Sequence, residues 1–408
     1  MKKISQIILV QILISVMMLT ANYSASAQDR SASVGATGSK PISPGALLDD
    51  FRYAAPINVW NALTGTFSSS AAFPPPSNAN CIASYESNPS ITFGGSGYSL
   101  KLNYNVSAAN SFSGYYSYLG SASVSTYKAL SFWVRGAAGG EFFKVQLKNT
   151  SAGIRNTAAV YITDYLDGGV TTGWQKVTIP FYNFGNLDGF SSMAEFTIVF
   201  ENSQSGINGS LTYGTIYIDD IRFETTTQTT VRVDHYGDKI GTCALGGNMG
   251  NGVGGDASPA LNKYEFTSVS NEYSPYPNGL RLTYNITPAG SYSYVFVLFG
   301  GGDTGWVSIP QNFSAFNYLT IRIRARSEAE NPKYLKLEIA DGTGAKPAVL
   351  TGITTGWQYY QVPLSAFTGL DKSTIKQITF VFDPTWINAG GGSKSGIIYV
   401  DYVQFDVN

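Results

Sequence analysis

The sequence Gly214-Thr-Ile-Tyr-Ile-Asp219 returns 182 residues later as Gly396-Ile-Ile-Tyr-Val-Asp401. Two further pairs of phrases share nearly this spacing: Leu100-Lys-Leu-Asn-Tyr-Asn105 with Leu280-Arg-Leu-Thr-Tyr-Asn285, and Thr172-Gly-Trp-Gln175 with Thr355-Gly-Trp-Gln358. Matches in one order at a nearly constant offset indicate an internal repeat, and a period of this size fits a whole domain. We therefore predict two tandem domains, a first module at residues 46–224 and a second module at residues 230–408.

Within each module the hydrophobic pattern has a period of two, as in Phe143-Lys-Val-Gln-Leu-Lys148 and Tyr334-Leu-Lys-Leu-Glu-Ile339. Such alternation is typical of strands that turn one face to a core and the other to water. No helical stripe persists over a comparable length. Many short strands in about 180 residues predict an all-β fold, with each module an antiparallel sandwich of two sheets. Jelly roll is the favoured topology, although periodicity leaves the order of the connections open.

The N-terminal segment has the features of an export signal. Lys2 and Lys3 precede an apolar run, and Ala25-Ser-Ala27 supplies small residues at the cleavage positions, so we predict a signal peptide at 1–27. Residues 28–45 are rich in Ser, Gly and Pro and predict a flexible lead-in. No other segment approaches the length of about 20 apolar residues that a spanning helix needs, so no transmembrane segment is expected. The protein is predicted to be secreted, and to be extracellular, periplasmic or attached to the cell surface.

The composition excludes several classes of function. The 26 basic and 27 acidic residues nearly balance, so the chain has no basic field with which to attract nucleic acid. A single histidine, His235, excludes multi-histidine metal centres and disfavours a catalytic triad. Two cysteines, Cys81 and Cys243, fall in different modules, and a disulfide between them is left open by the sequence.

Two further patterns, one of carboxylates and one of glycines, are weak indications of enzyme activity and of phosphate binding. Glu195 with Glu201, or Glu338 with Asp383, could form the acid pair of a glycosidase, but their spacing does not predict the required approach. The glycine-rich stretch Gly246–Gly255 lacks the lysine and the strand-to-helix setting of a phosphate loop. We interpret that stretch as a flexible surface loop, and we expect no enzyme activity.

Four phrases of the first module are those of a known family. They are Leu48-Asp-Asp-Phe51, Leu130-Ser-Phe-Trp-Val-Arg-Gly136, Gly173-Trp-Gln-Lys-Val-Thr-Ile-Pro180 and Tyr217-Ile-Asp-Asp-Ile-Arg-Phe223. With them, each module resembles the carbohydrate-binding jelly-roll modules of the galactose-binding-like superfamily, particularly family 11 modules and relatives of complex I intermediate-associated protein 30. The second module departs from the pattern, since it opens with Val233-Asp-His-Tyr236 and has Tyr402 where the first has Asp220.

The resemblance implies a structural calcium ion in each module, held by an acidic residue near the first strand and one in the last. The corresponding pairs are Asp50 with Asp219, and Asp234 with Asp401. Two carboxylates suffice only if backbone carbonyls complete the 6–8 oxygen ligands of calcium. The alternative is that Asp219 and Asp401 only accept hydrogen bonds from backbone N–H groups. No organic cofactor is expected.

The likeness also implies glycan binding, and outward-facing aromatic and polar side chains are the candidates because sugars stack on rings and bond to planar polar groups. The predicted ligand-binding residues are Tyr115, Tyr116, Lys144 and Gln146 in the first module, and Tyr294, Arg324, Lys336 and Glu338 in the second. Each tyrosine alone is equally well explained as packing, because neighbours in a strand point to opposite faces. We interpret Trp174 and Trp357 as packing residues.

We therefore predict a secreted, non-catalytic protein that binds a polysaccharide or another glycan through its sheets. A structural subunit of a cell envelope or an extracellular matrix is the alternative, in which the same sheets meet other protein chains. A glycoside hydrolase is a more remote third possibility.

Overall fold

The computed structural model describes most of the two predicted modules. The described residues are 46–69, 79–151, 153–166, 169–185, 187, 189–203, 211–225, 229–236, 241–268, 278–300 and 306–408. The predicted signal peptide at 1–27 and the lead-in at 28–45 lie outside them. Within these ranges, no helix has the length and apolar character that crossing a membrane requires.

The strands of the first module lie between Ala46 and Glu224. They are β1 Ala46–Asp49, β2 Thr64–Ser68, β3 Asn80–Glu86, β4 Ser99–Asn105, β5 Phe112–Ala122, β6 Ala129–Gly136, β7 Lys144–Ser151, β8 Ile154–Tyr161, β9 Gln175–Pro180, β10 Met193–Glu201 and β11 Tyr213–Glu224. Short 3₁₀ turns at Phe93–Gly95, Ile162–Asp164 and Phe181–Asn183 connect some of them.

The strands of the second module lie between Thr230 and Asp406. They are β12 Thr230–Asp234, β13 Gly246–Gly254, β14 Lys263–Ser268, β15 Asn278–Asn285, β16 Tyr292–Phe299, β17 Tyr318–Ala325, β18 Tyr334–Asp341, β19 Gly344–Thr351, β20 Gln358–Pro363, β21 Gln377–Phe382 and β22 Ser395–Asp406. Helix α1, Pro384–Ala389, follows β21, and 3₁₀ turns occur at Pro259–Leu261, Glu328–Glu330 and Leu364–Ala366.

The two modules share one strand order. In the first, a six-stranded sheet runs β3-β4-β11-β6-β9 with β1 also paired to β11, and a five-stranded sheet runs β2-β5-β10-β7-β8. The second repeats both orders strand for strand, as β14-β15-β22-β17-β20 with β12 on β22, and β13-β16-β21-β18-β19. Neighbouring strands pair antiparallel in all four sheets, for example β10 with β5 and β16 with β21. The predicted all-β fold of two tandem sandwiches is confirmed.

Each core forms where the inward side chains of the two sheets meet. On β7, Val145 and Leu147 are fully buried, whereas Lys144 and Gln146 point outward, as the alternation predicts. One aromatic stack joins the two sheets in the first module, where the rings of Tyr104 and Phe200 lie 3.8 Å apart. The repeat preserves this stack in the second module, where Tyr284 and Phe382 have ring centroids 4.2 Å apart.

Both cysteines are free and buried, each in the hydrophobic core of its own module. Burial raises the pKa of the Cys81 and Cys243 thiols to about 12, because the thiolate is poorly solvated there. No disulfide links the modules in this structure, so any connection between them beyond the chain itself is non-covalent.

Such a connection exists, and we call it the seam. It joins Thr163, Asp164, Tyr182 and Asn183 of the first module to Arg232, His235, Ala244, Phe313 and Phe316 of the second. The Asn183 amide donates to the carbonyl oxygens of Ala244, at 2.8 Å, and Arg232, at 3.3 Å. The Arg232 guanidinium in turn donates to the Asp164 carbonyl at 2.7 Å. Asn183 is only 1% exposed, so these bonds lie inside the protein rather than on its surface.

An aromatic contact and the chain's only histidine complete the seam. The Tyr182 ring stacks on Phe313 with centroids 5.8 Å apart and meets Phe316 edge-on. His235 is 1% exposed, and its Nε2 lies 2.8 Å from the Thr163 carbonyl oxygen. The structure therefore uses the one imidazole of the chain to hold the two modules together.

Candidate functional site

The outer face of the five-stranded sheet in the second module carries a row of aromatic rings. Tyr292, Tyr294 and Phe296 alternate along β16, with ring centroids 6.3 Å and 6.4 Å apart. Each ring faces a glycine of the neighbouring strand β13. In the same order, these glycines are Gly254, Gly252 and Gly250. Every second residue of β13 therefore lacks a side chain at the position where the rings lie.

The glycines allow the rings to lie flat on the sheet. A Cβ atom added to Gly252 would stand 2.3 Å from the Tyr294 hydroxyl, and one added to Gly254 would stand 2.1 Å from the Tyr292 ring. The rings thus occupy the space that side chains of β13 would fill, and they present their faces outward. The prediction that Gly246–Gly255 is a flexible loop is wrong, because all but the last of these residues form β13.

A groove of about 430 Å³ runs beside this row of rings. It is lined by Tyr292, Tyr294, Lys336, Glu338, Gln377, Thr379, Val381 and Asp383. Lys336 Nζ lies 2.7 Å from Glu338 Oε1, and the Gln377 amide donates to the Thr379 hydroxyl at 2.7 Å. The groove therefore combines two ring faces with a wall of amide, hydroxyl, ammonium and carboxylate groups.

The five-stranded sheet of the first module has a related outer face. The Tyr116 ring of β5 covers Gly65 of β2, where an added Cβ would lie 2.7 Å from the Tyr116 hydroxyl oxygen. Next to it, the Phe67 ring of β2 covers Gly114 of β5, where the corresponding distance to the ring is 2.5 Å. Tyr118 lies 4.9 Å from Tyr116 between ring centroids. Partial burial raises the pKa of both tyrosines, so their hydroxyl groups stay protonated and able to donate.

At one position, the two faces carry the aromatic ring and the glycine on opposite strands. Gly114 pairs with Val199 in the first module, and Tyr294 pairs with the corresponding Val381 in the second. The first module thus places its ring on β2 and its glycine on β5, and the second reverses the two. Both modules therefore keep an aromatic ring over a glycine at this position, although the ring and the glycine are on opposite strands in the two modules.

The charged side chains of the first face are paired with each other. Lys144 Nζ lies 2.5 Å from Glu201, and Lys148 Nζ lies 2.5 Å from Glu195, which also accepts a hydrogen bond from Thr197. The carboxylates therefore balance the charge of the face.

The alternative acid pair of the second module is also engaged in other contacts. Glu338 contacts Lys336, and Asp383 accepts a hydrogen bond from the Thr385 backbone N–H at 2.9 Å, which caps helix α1.

The structure brings together six of the eight predicted ligand-binding residues in two groups. Tyr294, Lys336 and Glu338 line the groove of the second module. Tyr116, Lys144 and Gln146 share the outer face of the first, where Gln146 and Tyr116 both pair with Thr197 of β10.

The prediction that Tyr115 binds the ligand is wrong. It is 1% exposed and lies in the core, where burial raises its pKa well above the usual range. Because Tyr116 points outward, its neighbour on the strand must point inward, so Tyr115 does not reach a ligand on this face.

Arg324 lies apart from the groove. It points outward, as predicted, but from β17 in the six-stranded sheet, on the opposite side of the sandwich. The two faces also include residues that the sequence pattern did not predict, namely Phe67, Gln377, Thr379 and Val381. The Phe67 ring covers a glycine of β5, a strand that is distant in sequence. The sequence around Phe67 alone therefore did not indicate this position.

The predicted calcium ligands of the second module have other partners in this structure. The Asp401 carboxylate forms an ion pair with Arg322, and both side chains are at most 5% exposed. Asp234 accepts a hydrogen bond from the Tyr236 backbone N–H at 2.7 Å. The guanidinium supplies the positive charge that calcium would bring.

In the first module, the two predicted calcium ligands have partners that compete less strongly with a cation. Asp50 is held by Arg52, whose side chain is half exposed, and Asp219 accepts a hydrogen bond from the Ser99 hydroxyl at 2.5 Å. A cation at this place would have to displace Arg52 from Asp50. Over the described part of the chain, no three His, Cys, Asp or Glu side chains are grouped so as to hold a metal ion. Calcium stays a prediction in both modules.

Comparison with known proteins gives a family match for part of the chain. Residues 61–225 match the family model of carbohydrate binding domain 30. This match covers most of the first module and includes the face formed by Phe67, Tyr116 and Lys144. The resemblance to carbohydrate-binding jelly-roll modules is confirmed. None of the curated proteins matches the chain.

Solved structures with similarity to this chain include single and tandem modules. The family 11 module of the cellulosomal cellulase Lic26A-Cel5E of Clostridium thermocellum is 13% identical, with 46% of this chain and 98% of that chain covered and a TM-score of 0.33. The family 30 module of the cellulosomal cellulase Cel9D-Cel44B of the same organism is 19% identical, with coverages of 45% and 99% and a TM-score of 0.32. The tandem CBM22-1–CBM22-2 domain of Xyn10C from Paenibacillus barcinonensis is 14% identical, with coverages of 91% and 100% and a TM-score of 0.29.

Proposed function

We propose that this chain is a secreted, non-catalytic protein that binds a polysaccharide or another glycan on the outer faces of its two five-stranded sheets. The observation that carries the proposal is the flat arrangement of aromatic rings over glycines beside a polar groove. The family match of residues 61–225 supports the same assignment for the first module.

The chemistry of the faces suits a sugar polymer. Sugar rings offer flat patches of C–H bonds that stack on exposed aromatic faces, and their hydroxyl groups bond to planar polar side chains. Tyr292 and Tyr294 supply the faces, while Gln377, Glu338 and Lys336 supply donors and acceptors at the wall of the groove.

The charge pattern favours a neutral glycan at these faces. Lys144 and Lys148 each contact a glutamate in the first module, and Lys336 contacts Glu338 in the second. Paired charges attract an ionic ligand weakly, yet they still donate and accept hydrogen bonds with hydroxyl groups.

The test is affinity electrophoresis on neutral plant, algal and bacterial polysaccharides, followed by titration calorimetry with the polymers that retain the protein. Tyr294→Ala and Tyr116→Ala each remove one ring, and we expect each to weaken binding at its own face by about tenfold, or about 1.4 kcal/mol. Tyr213→Ala is the matched control, because Tyr213 is 64% exposed and lies at one end of a six-stranded sheet.

Retention that is unchanged in the double variant Tyr116→Ala/Tyr294→Ala, or no retention on any glycan, would overturn the proposal. Ordered polymers of the protein in electron micrographs, without glycan binding, would favour the structural subunit instead. Release of reducing sugar would favour the hydrolase.

A further inference from the structure

The outer faces of the six-stranded sheets, away from the groove, carry a second repeated arrangement. Each module places a cation, a tyrosine, an arginine and a tryptophan there. The first three are paired across adjacent strands, as Lys101, Tyr217 and Arg135 in the first module and Arg281, Tyr399 and Arg324 in the second. The tryptophans are Trp174 and Trp357, which directly precede the strands β9 and β20 that pair with the arginine-bearing strands. We call each set a cationic row. The repeat retains the chemistry of all four positions, with lysine replaced by arginine at one of them.

In the second module, the Arg324 guanidinium of this row lies close to two aromatic rings. The Arg324 guanidinium lies 5.3 Å from the centroid of the Trp357 ring and 5.1 Å from that of Tyr399. In the first module both Arg135 and Lys101 lie 5.8 Å from the centroid of the Tyr217 ring. Cation–π contacts of this kind fix the plane of a guanidinium and leave its N–H edge available.

These two arginines differ from their neighbours in having no acid partner. Arg322 contacts Asp401, and Arg326 contacts Glu330. For Arg135 and Arg324, by contrast, no carboxylate within the described ranges comes within ion-pair distance. Arg324 is partly buried, and its Nε–H has no hydrogen-bond acceptor among the described residues. A partly desolvated guanidinium without a counter-charge is a strong site for an anion, which it can hold through two parallel hydrogen bonds.

We propose that each cationic row binds a carboxylate or sulfate group of an acidic polysaccharide, at a site separate from the faces assigned to neutral glycan. The inference rests on the proposed function in taking the ligand to be a glycan. The arginine would hold the anionic group, and exposed aromatic surface beside it would stack on the sugar. In the second module, Tyr359 on the adjacent strand is 59% exposed and supplies such surface.

The test is titration of the full-length protein with three probes: a polyuronate, a sulfated dextran and a neutral polysaccharide retained in the electrophoresis above. We expect Arg135→Gln/Arg324→Gln to lose at least tenfold in affinity for a polyuronate or sulfated probe and to keep its affinity for the neutral one. Binding of the acidic probe should also weaken as salt is raised, because it depends on charge. The uronate and sulfate arms identify which anion is preferred.

Two variants guard against an indirect effect. Arg326→Gln is the matched control, since Arg326 follows the same strand but is already paired with Glu330, and it should bind all three probes normally. Arg324→Lys keeps the charge but loses the planar fork, so it should bind the acidic probe with intermediate affinity.

Tyr294→Ala separates this inference from the proposed function, because it should weaken only the neutral probe. Acidic probes that bind the wild type and the double variant equally, or bind neither, overturn the inference. So does equal affinity for poly-glutamate, which would assign the rows to acidic proteins rather than to glycans.

Discussion

At the scale of single residues, the glycines of β13 control where aromatic rings lie. Gly252 has no side chain, and the Tyr294 ring fills the space above it. The contact that an added methyl group would meet is the hydroxyl end of a side chain that can rotate. A substitution there therefore changes the orientation of the ring before it strains the backbone.

Gly252→Ala should consequently weaken glycan binding by several-fold and lower the free energy of unfolding by no more than about 1 kcal/mol, at the low end of overpacking effects. Calorimetric titration and urea unfolding measure the two quantities. Gly241→Ala is the control, since an added Cβ there meets nothing within 4 Å. Binding that is equally strong in both variants would show that the tilt of the ring is irrelevant.

A second residue-scale prediction concerns the buried ion pair of Arg322 with Asp401. Removing one partner of a buried ion pair is strongly destabilising, so Asp401→Asn should lower the free energy of unfolding by about 3–5 kcal/mol. Glu330→Gln breaks the more exposed pair with Arg326 and should lower it by about 1 kcal/mol or less. Urea unfolding of the two variants compares them directly. An Asp401→Asn effect no larger than that of Glu330→Gln would contradict the prediction.

At the scale of elements, the period of two was enough to predict strands such as β7 and β18, where polar and apolar side chains alternate. It failed on β13, because a strand whose outward residues are glycine has no polar side chains to alternate with. The glycines become intelligible only once β16 is known to lie beside them, and pairing between strands is not encoded locally. For the same reason Tyr115 and Tyr116 were indistinguishable before the core was known. Arg324 was correctly assigned outward, but alternation does not say which of two sheets a strand joins.

The pairing of the first and last strands of the first module bears on calcium. Asp50 directly follows β1, which pairs with β11, the strand that carries Asp219. If both carboxylates bind calcium, the ion stabilises the folded state by about 2.7 kcal/mol at a hundredfold excess over its Kd. Thermal unfolding of the full chain in calcium and in chelator should then differ, and Asp219→Asn should abolish the difference. An identical unfolding curve in both conditions would exclude the ion.

At the scale of the whole molecule, the seam couples two modules that each have their own core. Asn183 satisfies two carbonyl groups of the second module from a position that is almost fully buried. Asn183→Ala leaves both acceptors without this donor, and we expect it to lower the free energy of unfolding by about 1–3 kcal/mol. Asn103→Ala removes an exposed hydrogen bond to Thr215 and should change it by less than about 0.5 kcal/mol. Similar unfolding midpoints for the two variants would show that the seam contributes little.

The seam also determines what a protease would release. A cut in the polar segment between residues 224 and 230 severs the only covalent link between the modules, because Cys81 and Cys243 are not joined. The Asn183 amide, the Tyr182 stack on Phe313 and the His235 contact would still hold the two fragments in register. Nicked protein should therefore elute as one particle in gel filtration and separate into two bands only on a denaturing gel. A clipped chain would in this way continue to present both of its faces as a heterodimer made from one gene product.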